Sequence, residues 1–372
     1  MLRRALALLL GLAVGLGLAE AVLRVAGLPR FHRAHTPAAQ FDFLQSRSGA
    51  ASVFFVNKRS EAITFEYDSD PRGYFGPGNR VVQQTNANGF RGPECALAKP
   101  AGTFRLIFLG DSFTFGEGVR FDDTFAEATS ALLARRFPDA KVVFESCNLG
   151  VSGYNTADEL FLFNALVPRL SPDAVILTYV INDAEPPLFT IDPVNGPVRR
   201  PRETEIAEGV ASPRPPDVWL YRLRVAQLIW QFQAERRRGA QTADYYQALY
   251  RPDAQGWKVA RGALDELVRA CRRENIPLVV MLFPLLHRLD ESHPFKDIYS
   301  LVQQQVEGSG GQFLNLFPAF LGSDAESLWV HPTDQHPNEQ AHRIAAEQLA
   351  DRLASSQEFL AKLGAQGEAS KR

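Results

Sequence analysis

Hydrophobic positions along the chain change period several times, and the changes divide it into parts. The first is a run without charge from Ala5 to Ala19, led in by Met1-Leu2-Arg3-Arg4, broken by Glu20 and extended by Ala21-Val22-Leu23 to Arg24. From Phe31 to about Leu97 the pattern is short and turn-rich, with β-like runs at Ser52–Val56 and Ala62–Phe65 and a tight-turn signal at Asn88-Gly89. Beyond it, continuous apolar runs alternate with segments of helical period. Strands are predicted at Arg105–Leu109, Val142–Phe144, Ala174–Val180, Pro277–Phe283 and Gln312–Leu316, and helices at 123–137, 156–169, 256–275, 295–307 and 338–355. Apolar strands without polar alternation, separated by helices, predict an α/β/α sandwich on a parallel sheet. Sites in such sheets lie beyond the carboxyl ends of the strands.

Between the third and fourth strands about seventy residues break this rhythm. The stretch 185–216 is rich in Pro and Arg. Trp219, Leu220, Leu223, Leu228, Ile229 and Phe232 then recur at near-helical spacing, followed by Tyr245, Tyr246, Tyr250 and Trp257. An insertion at the carboxyl edge is where a lid or substrate wall would sit, and most of its aromatics are expected to pack onto the body. The expected parts are a signal peptide or anchor over 1–30, a small extension over 31–98, the α/β body over 99–358 with its insertion at 185–255, and a flexible tail over 359–372.

Composition narrows the function. With 40 Lys+Arg against 42 Asp+Glu, 22% of residues charged and 45% hydrophobic, the chain has the makings of an ordinary core and no basic footprint for nucleic acid. Three cysteines without a CxxC are too few for a disulfide scaffold; export would allow one bridge, but the expectation is three small buried hydrophobes. Seven histidines without an HExxH argue against zinc, and neither a metal nor an organic cofactor is expected. The N-terminal run points to export into a cell envelope. Ala19-Glu20-Ala21 fits a cleavage site, whereas Glu20 is near enough to the end to reach the interface, which favours a retained anchor slightly.

Four elements carry candidate chemistry. Gly110-Asp111-Ser112 follows the first strand and opens a helix, which sets a serine among exposed N–H groups. Asn148-Leu149-Gly150-Val151-Ser152-Gly153 follows the second strand, where glycines allow close backbone approach. Ile181-Asn182-Asp183 ends the third strand with a neutral amide able to donate to an oxyanion. Thr333-Asp334-Gln335-His336-Pro337-Asn338 precedes the last helix and offers His336 as a base, with Asp334 able to orient it. Each alone is equally a cap or turn, and Pro337 could simply open the helix. His331, Glu339 and His342 compete for the base, His342 as a packed helix residue. Together the four elements face one rim of the sheet and make up the parts of an acyl-transfer site.

These blocks resemble the SGNH hydrolase superfamily, the GDSL-type esterases, over residues 88–355. The closest likeness is to bacterial members with an N-terminal membrane segment and a stretch like Asn86-Ala87-Asn88-Gly89-Phe90-Arg91-Gly92 before the first strand. The resemblance implies a flavodoxin-like strand order of 2-1-3-4-5. It makes Ser112 the nucleophile, His336 the base, and the N–H groups of Ser112 and Gly153 with the amide of Asn182 the oxyanion hole; Asp111 would hold the turn. Two positions depart from the pattern. Val180 stands where the family's third block has glycine, and Thr333 stands three residues before His336, where the family has aspartate. The Asp-x-His spacing of Asp334 and His336 resembles the alginate O-acetyltransferase-like members instead. The implied activity is hydrolysis of short-chain O-acyl esters, with a small-molecule or glycan ester as substrate and the membrane as partner. The competing readings are an O-acyltransferase acting on an exported polysaccharide, and a non-catalytic carbohydrate- or envelope-binding protein.

Overall fold

A computed structural model describes residues 1–32, 41–44, 54–192, 196–200 and 214–369. Ser52, Val53, much of the Pro/Arg-rich stretch and the end of the tail lie outside the described residues. The uncharged N-terminal run forms α1 (Leu2–Val25), which has no buried residue and a mean hydropathy of 2.3. At about 1.5 Å per residue it is about 36 Å long, enough for a hydrocarbon core of about 30 Å. Two antiparallel ribbons make the extension: β1 (Phe41–Leu44) with β2 (Phe54–Asn57), and β3 (Ala62–Glu66) with β4 (Arg80–Gln84).

The α/β body then begins. β5 (Thr103–Leu109) runs into α2 (Ser112–Phe115) and α3 (Phe125–Arg136), and β6 (Val143–Asn148) into α4 (Thr156–Leu166). β7 (Ala174–Tyr179) leads to the insertion, which holds the ribbon β8 (Phe189–Asp192) and β9 (Gly196–Arg199) and the long helix α5 (Arg224–Leu249). α6 (Gln255–Arg273), β10 (Leu278–Leu282), α7 (Lys296–Gly308) and β11 (Gln312–Asn315) complete the sheet. α8 (Phe317–Phe320), the hairpin of β12 (Trp329–His331) and β13 (Asp334–Pro337), α9 (Glu339–Ser355) and α10 (Gln357–Ala369) close the chain.

The sheet is parallel throughout, in the order β6-β5-β7-β10-β11, which is the expected 2-1-3-4-5. Every residue of β5, β7 and β10 is buried, which is why these strands read as near-continuous apolar runs, with Arg105 buried in β5 as the one charge. β5 and β7 are central neighbours, so the turns that follow them lie side by side at one rim. Side chains stop the helices from fraying at that rim: Asn155 caps α4 by accepting from the N–H groups of Ala157 and Asp158. Asn338, not Pro337, opens α9, accepting from Gln340 and Ala341, while Pro337 ends β13.

Two expectations need correction. Cys95 and Cys147 are not separate buried hydrophobes; they form a disulfide with Cα atoms 6.0 Å apart, and Cys271 alone is free and buried. The bridge ties the segment entering β5 to the neighbouring strand β6. The tail is helical to Ala369, because Phe359 and Leu363 offer an apolar stripe that fills the core beside Phe104 and Phe137. Most of the insertion aromatics pack onto the body as expected: Tyr246, Tyr250 and Trp257 are buried and Tyr245 packs against the core, whereas Trp219 and Phe232 are exposed before and on α5.

The disulfide closes a loop of 52 residues. Cys95→Ser should therefore lower unfolding free energy by about 2–4 kcal/mol in urea melts. Wild type melted in a thiol reductant should coincide with the variant.

Candidate active site

The turn after β5 is shaped by backbone geometry. Gly110 has φ +153°, and a Cβ there would lie 2.1 Å from Thr114 Oγ1, so only glycine fits. Asp111 caps α2 by accepting from the Phe113 N–H at 2.9 Å. Ser112 thus begins a short helix at the end of a central strand, only 8% exposed.

His336 reaches it from β13. Its Nε2 lies 2.8 Å from Ser112 Oγ, and its Nδ1 lies 2.6 Å from Asp334 Oδ1, which also accepts the His336 backbone N–H at 3.1 Å. Side chains two apart on a strand share a face, so Asp-x-His on β13 sets the carboxylate beside the ring. The second oxygen of Asp334 accepts from the Tyr67 hydroxyl at 2.7 Å. Serine, imidazole and carboxylate stand in one hydrogen-bonded line, the arrangement in which a ring can take a hydroxyl proton while a carboxylate fixes its tautomer.

The other predicted residues border this line. Asn182, in a turn after β7, donates through Nδ2 to Asp111 Oδ2 at 2.9 Å, so one amide N–H is held by the cap of the serine turn and the other is left for a ligand. Gly153 is buried with φ +84°. Among the described residues, neither its N–H nor that of Ser112 is bonded to a backbone carbonyl. The loop bearing Gly153 is pinned to α2, since Asn148 Nδ2 donates to the Thr114 carbonyl at 2.6 Å and a Cβ on Gly150 would lie 2.3 Å from the Phe115 nitrogen. The competitors are engaged elsewhere. His342 accepts the Phe125 N–H at 3.0 Å, its pKa pushed down to about 3 by burial, and Glu339 pairs with Arg72.

The electrostatics favour a charged ring. Burial opposes protonation of His336, but Asp334, Glu117 and Asp111 outweigh it and raise its pKa to about 9. Glu117 Oε2 is 3.6 Å from His336 Nε2, and its other oxygen accepts from Ser152 Oγ. Burial would raise Asp334, yet His336 and Tyr67 hold it below the usual carboxylate value. Glu159 and Asp183 are fully buried; desolvation first, then the charges of Asp111 and Asp158 on Glu159 and those of Glu159 and Asp111 on Asp183, push both well above the carboxylate range.

Sequence reasoning missed Tyr67, Glu117 and the purpose of Arg91. Arg91 is buried and donates to the Val119 carbonyl at 2.8 Å, with its guanidinium 5.2 Å from the Phe115 ring centre. Gln83 donates to the Gly116 carbonyl at 2.7 Å. Both clamp the loop that presents Glu117. A glutamate between two glycines just after the serine block was the available signal; Tyr67 offered none.

Among the described residues, two donor groups come close enough to consider a cation. In one, Cys95 and Cys147 are bonded to each other beside Glu145. In the other, Asp68 lies 2.9 Å from His32 Nδ1 and 3.2 Å from His331 Nε2. There the Thr333 N–H donates to His331 Nδ1, which leaves the proton on Nε2 facing Asp68 and Ser69. A metal would require the opposite tautomer.

A comparison with curated proteins finds no match. Among solved structures the chain is similar to a two-domain esterase active on acetylated mannans, with 14% identity, 71% of this chain and 50% of that one covered, and a TM-score of 0.40. It is similar to an α/β hydrolase from the metagenome of Lake Arreo, Spain, at 19% identity, covering 72% and 98%, TM-score 0.40. A third is Axe2, an acetylxylan esterase from Geobacillus stearothermophilus, at 16% identity, covering 67% and 94%, TM-score 0.39. The chain thus spans half the length of the mannan esterase and nearly all of the other two. The family model of GDSL-like lipases and acylhydrolases matches residues 108–344, a span that holds all four blocks, and the chain belongs to that family of ester-bond hydrolases.

Proposed function

We propose that the protein hydrolyses short-chain O-acyl carboxylic esters through an acyl-enzyme on Ser112. The observation that carries this is the unbroken line from Ser112 Oγ through His336 to Asp334. Ser112 Oγ attacks the acyl carbonyl as His336 Nε2 takes its proton. The tetrahedral oxyanion is held by the N–H groups of Ser112 and Gly153 and the free amide N–H of Asn182. His336 then protonates the leaving alcohol, and water repeats the sequence to release the acid. Asp334 and Glu117 stabilise the imidazolium that forms on the way.

A cleft of about 1230 Å³ runs beside Phe113, Thr333 and Gln335, with Arg30, Arg238 and Arg288 among its walls. Its mixed polar and aromatic lining supports a glycan or other polar ester. Its size also supports a second reading, transfer of the acyl group to a sugar hydroxyl. Product partition with added oligosaccharide separates the two, since a transferase diverts acyl groups from water. The complete line of reacting groups speaks against a binding-only protein. The disulfide, stable in oxidising compartments, and α1 together support an exported protein with a retained membrane anchor.

Ser112→Ala should abolish turnover of p-nitrophenyl esters and leave no acyl adduct by intact mass. Asn182→Ala should lower kcat by about a hundredfold or more, and Asp334→Asn by about three to four orders of magnitude. Full turnover in Ser112→Ala would refute the mechanism.

The pH dependence follows from the raised pKa. The base is neutral only above about 9, so kcat/KM should climb with pH until about 9. Glu117→Gln removes one carboxylate and should move the climb to lower pH. The same charge links to folding. The stability contributed by the charged ring is complete below its ordinary 6.5 and is lost as pH rises through about 9.

A further inference from the structure

α5 and the segment entering it carry an apolar surface that the sheet does not cover. Trp219 is 76% exposed and Phe232 59%, and Leu220, Leu223, Leu228 and Ile229 stand out with them. Six large apolar side chains within fourteen residues exceed the scattered exposure of an ordinary surface. Arg222, Arg224, Arg236, Arg237 and Arg238 accompany them against only Asp217 and Glu235. Arg236 and Arg237 rim a shallow dent lined by Leu228, Ile229 and Phe232, and the Arg236 guanidinium lies 5.7 Å from the Phe232 ring centre. Bulky apolar groups edged by arginines are the composition of a helix lying in a lipid interface.

The other helix at this surface indicates what covers it. The last turns of α1 meet the start of α5: Glu20 Oε2 accepts from the Val225 N–H at 3.1 Å, and Arg24 donates to the Arg222 carbonyl at 2.9 Å. α1 carries no charge from Ala5 to Ala19 and has no buried residue. Ile229 and Phe232 follow Val225 by four and seven residues, about 6 and 10 Å along the helix axis. The exposed patch therefore begins where a membrane span would leave the bilayer.

We propose that this patch seats in the lipid interface beside α1, so that the catalytic body lies on the membrane by two contacts. The proposal rests on α1 entering the bilayer. α5 also walls the cleft beside Phe113, Thr333 and Gln335, through Leu228, Gln231, Glu235 and Arg238, and Leu28, Pro29 and Arg30 after α1 line it too. Docking places the cleft at the lipid–water boundary, where it favours esters carried by amphiphiles over esters free in solution.

The test uses the full chain in vesicles containing anionic lipid. With Cys95 and Cys147 paired and Cys271 buried, cysteines introduced singly as Leu12→Cys, Ile229→Cys and Asp351→Cys can each take an environment-sensitive fluorophore. Labels at 12 and 229 should shift to the blue and be quenched by brominated lipid, the latter most by bromines near the headgroup, while the label at 351 stays aqueous. A label at 229 that behaves like 351 while 12 is quenched overturns the docking and leaves the anchor standing. An aqueous label at 12 overturns the anchor and the docking together. As a second readout, Trp219→Asp combined with Ile229→Asp should lower turnover of a vesicle-borne ester roughly tenfold and leave a soluble ester unchanged. Equal loss on both esters would overturn the proposal.

Discussion

The site depends on keeping a carboxylate charged where water does not reach it. Asp334 is buried, and an isolated buried carboxylate would take up a proton rather than stay ionised. Its charge survives because both oxygens are occupied: the ring and backbone N–H of His336 on one, the Tyr67 hydroxyl on the other. The first partner comes from the same strand. The second comes from the extension before the sheet, across 267 residues of sequence. Tyr67 is itself held by stacking on Phe75 at 4.6 Å and on His331 at 5.1 Å, and His331 is bonded to Ser69 and Thr333. The extension is thus part of the hairpin's support, although none of its described strands joins the parallel sheet.

A second support acts on the serine side. Arg91 and Gln83, also from before β5, bond the carbonyls of Gly116 and Val119 and so fix the loop that carries Glu117. The consequence is electrostatic. With Asp334 on one ring nitrogen and Glu117 near the other, the imidazolium is favoured enough that the free base is scarce at neutral pH. The arrangement trades readiness to accept a proton for strong stabilisation of the charged ring once it has done so.

The sheet was legible because β5, β7 and β10 are buried on both faces, which leaves near-continuous apolar runs too short for helices and separated by segments of helical period. The serine, amide and histidine blocks were legible for a related reason: each directly follows a run or precedes a long helix. The role of Asp334 was legible only as a spacing, and its meaning appears once β13 is extended, since residues two apart then share a face. Tyr67 could not be found, because nothing in a short ribbon marks which hydroxyl will meet a residue 267 positions away. The disulfide was misjudged for a similar reason: Cys95 and Cys147 are brought together where the segment before β5 meets the end of β6, with Arg91 bridging to Asn148, which composition does not encode. The tail was misjudged because Phe359 and Leu363 sit among small and polar residues, a stripe too narrow to announce a buried helix.

The proposed reacting groups and the walls of the neighbouring cleft come from different parts of the chain. The reacting groups sit on turns fixed by the sheet, whereas much of the cleft wall comes from the residues after α1, from α5 and from the turn at 285–290. α5 is attached to the body at its far end, where Tyr246 and Tyr250 are buried and Tyr250 bonds Tyr179 at 2.7 Å. At its near end it is attached to α1 through Glu20 and Arg24. A wall fixed at one end to the sheet and at the other to an apolar helix takes its position from both. The cleft wall is therefore bonded to α1 as well as to the fold, while the line from Ser112 to Asp334 is held by bonds in which α1 and α5 take no part.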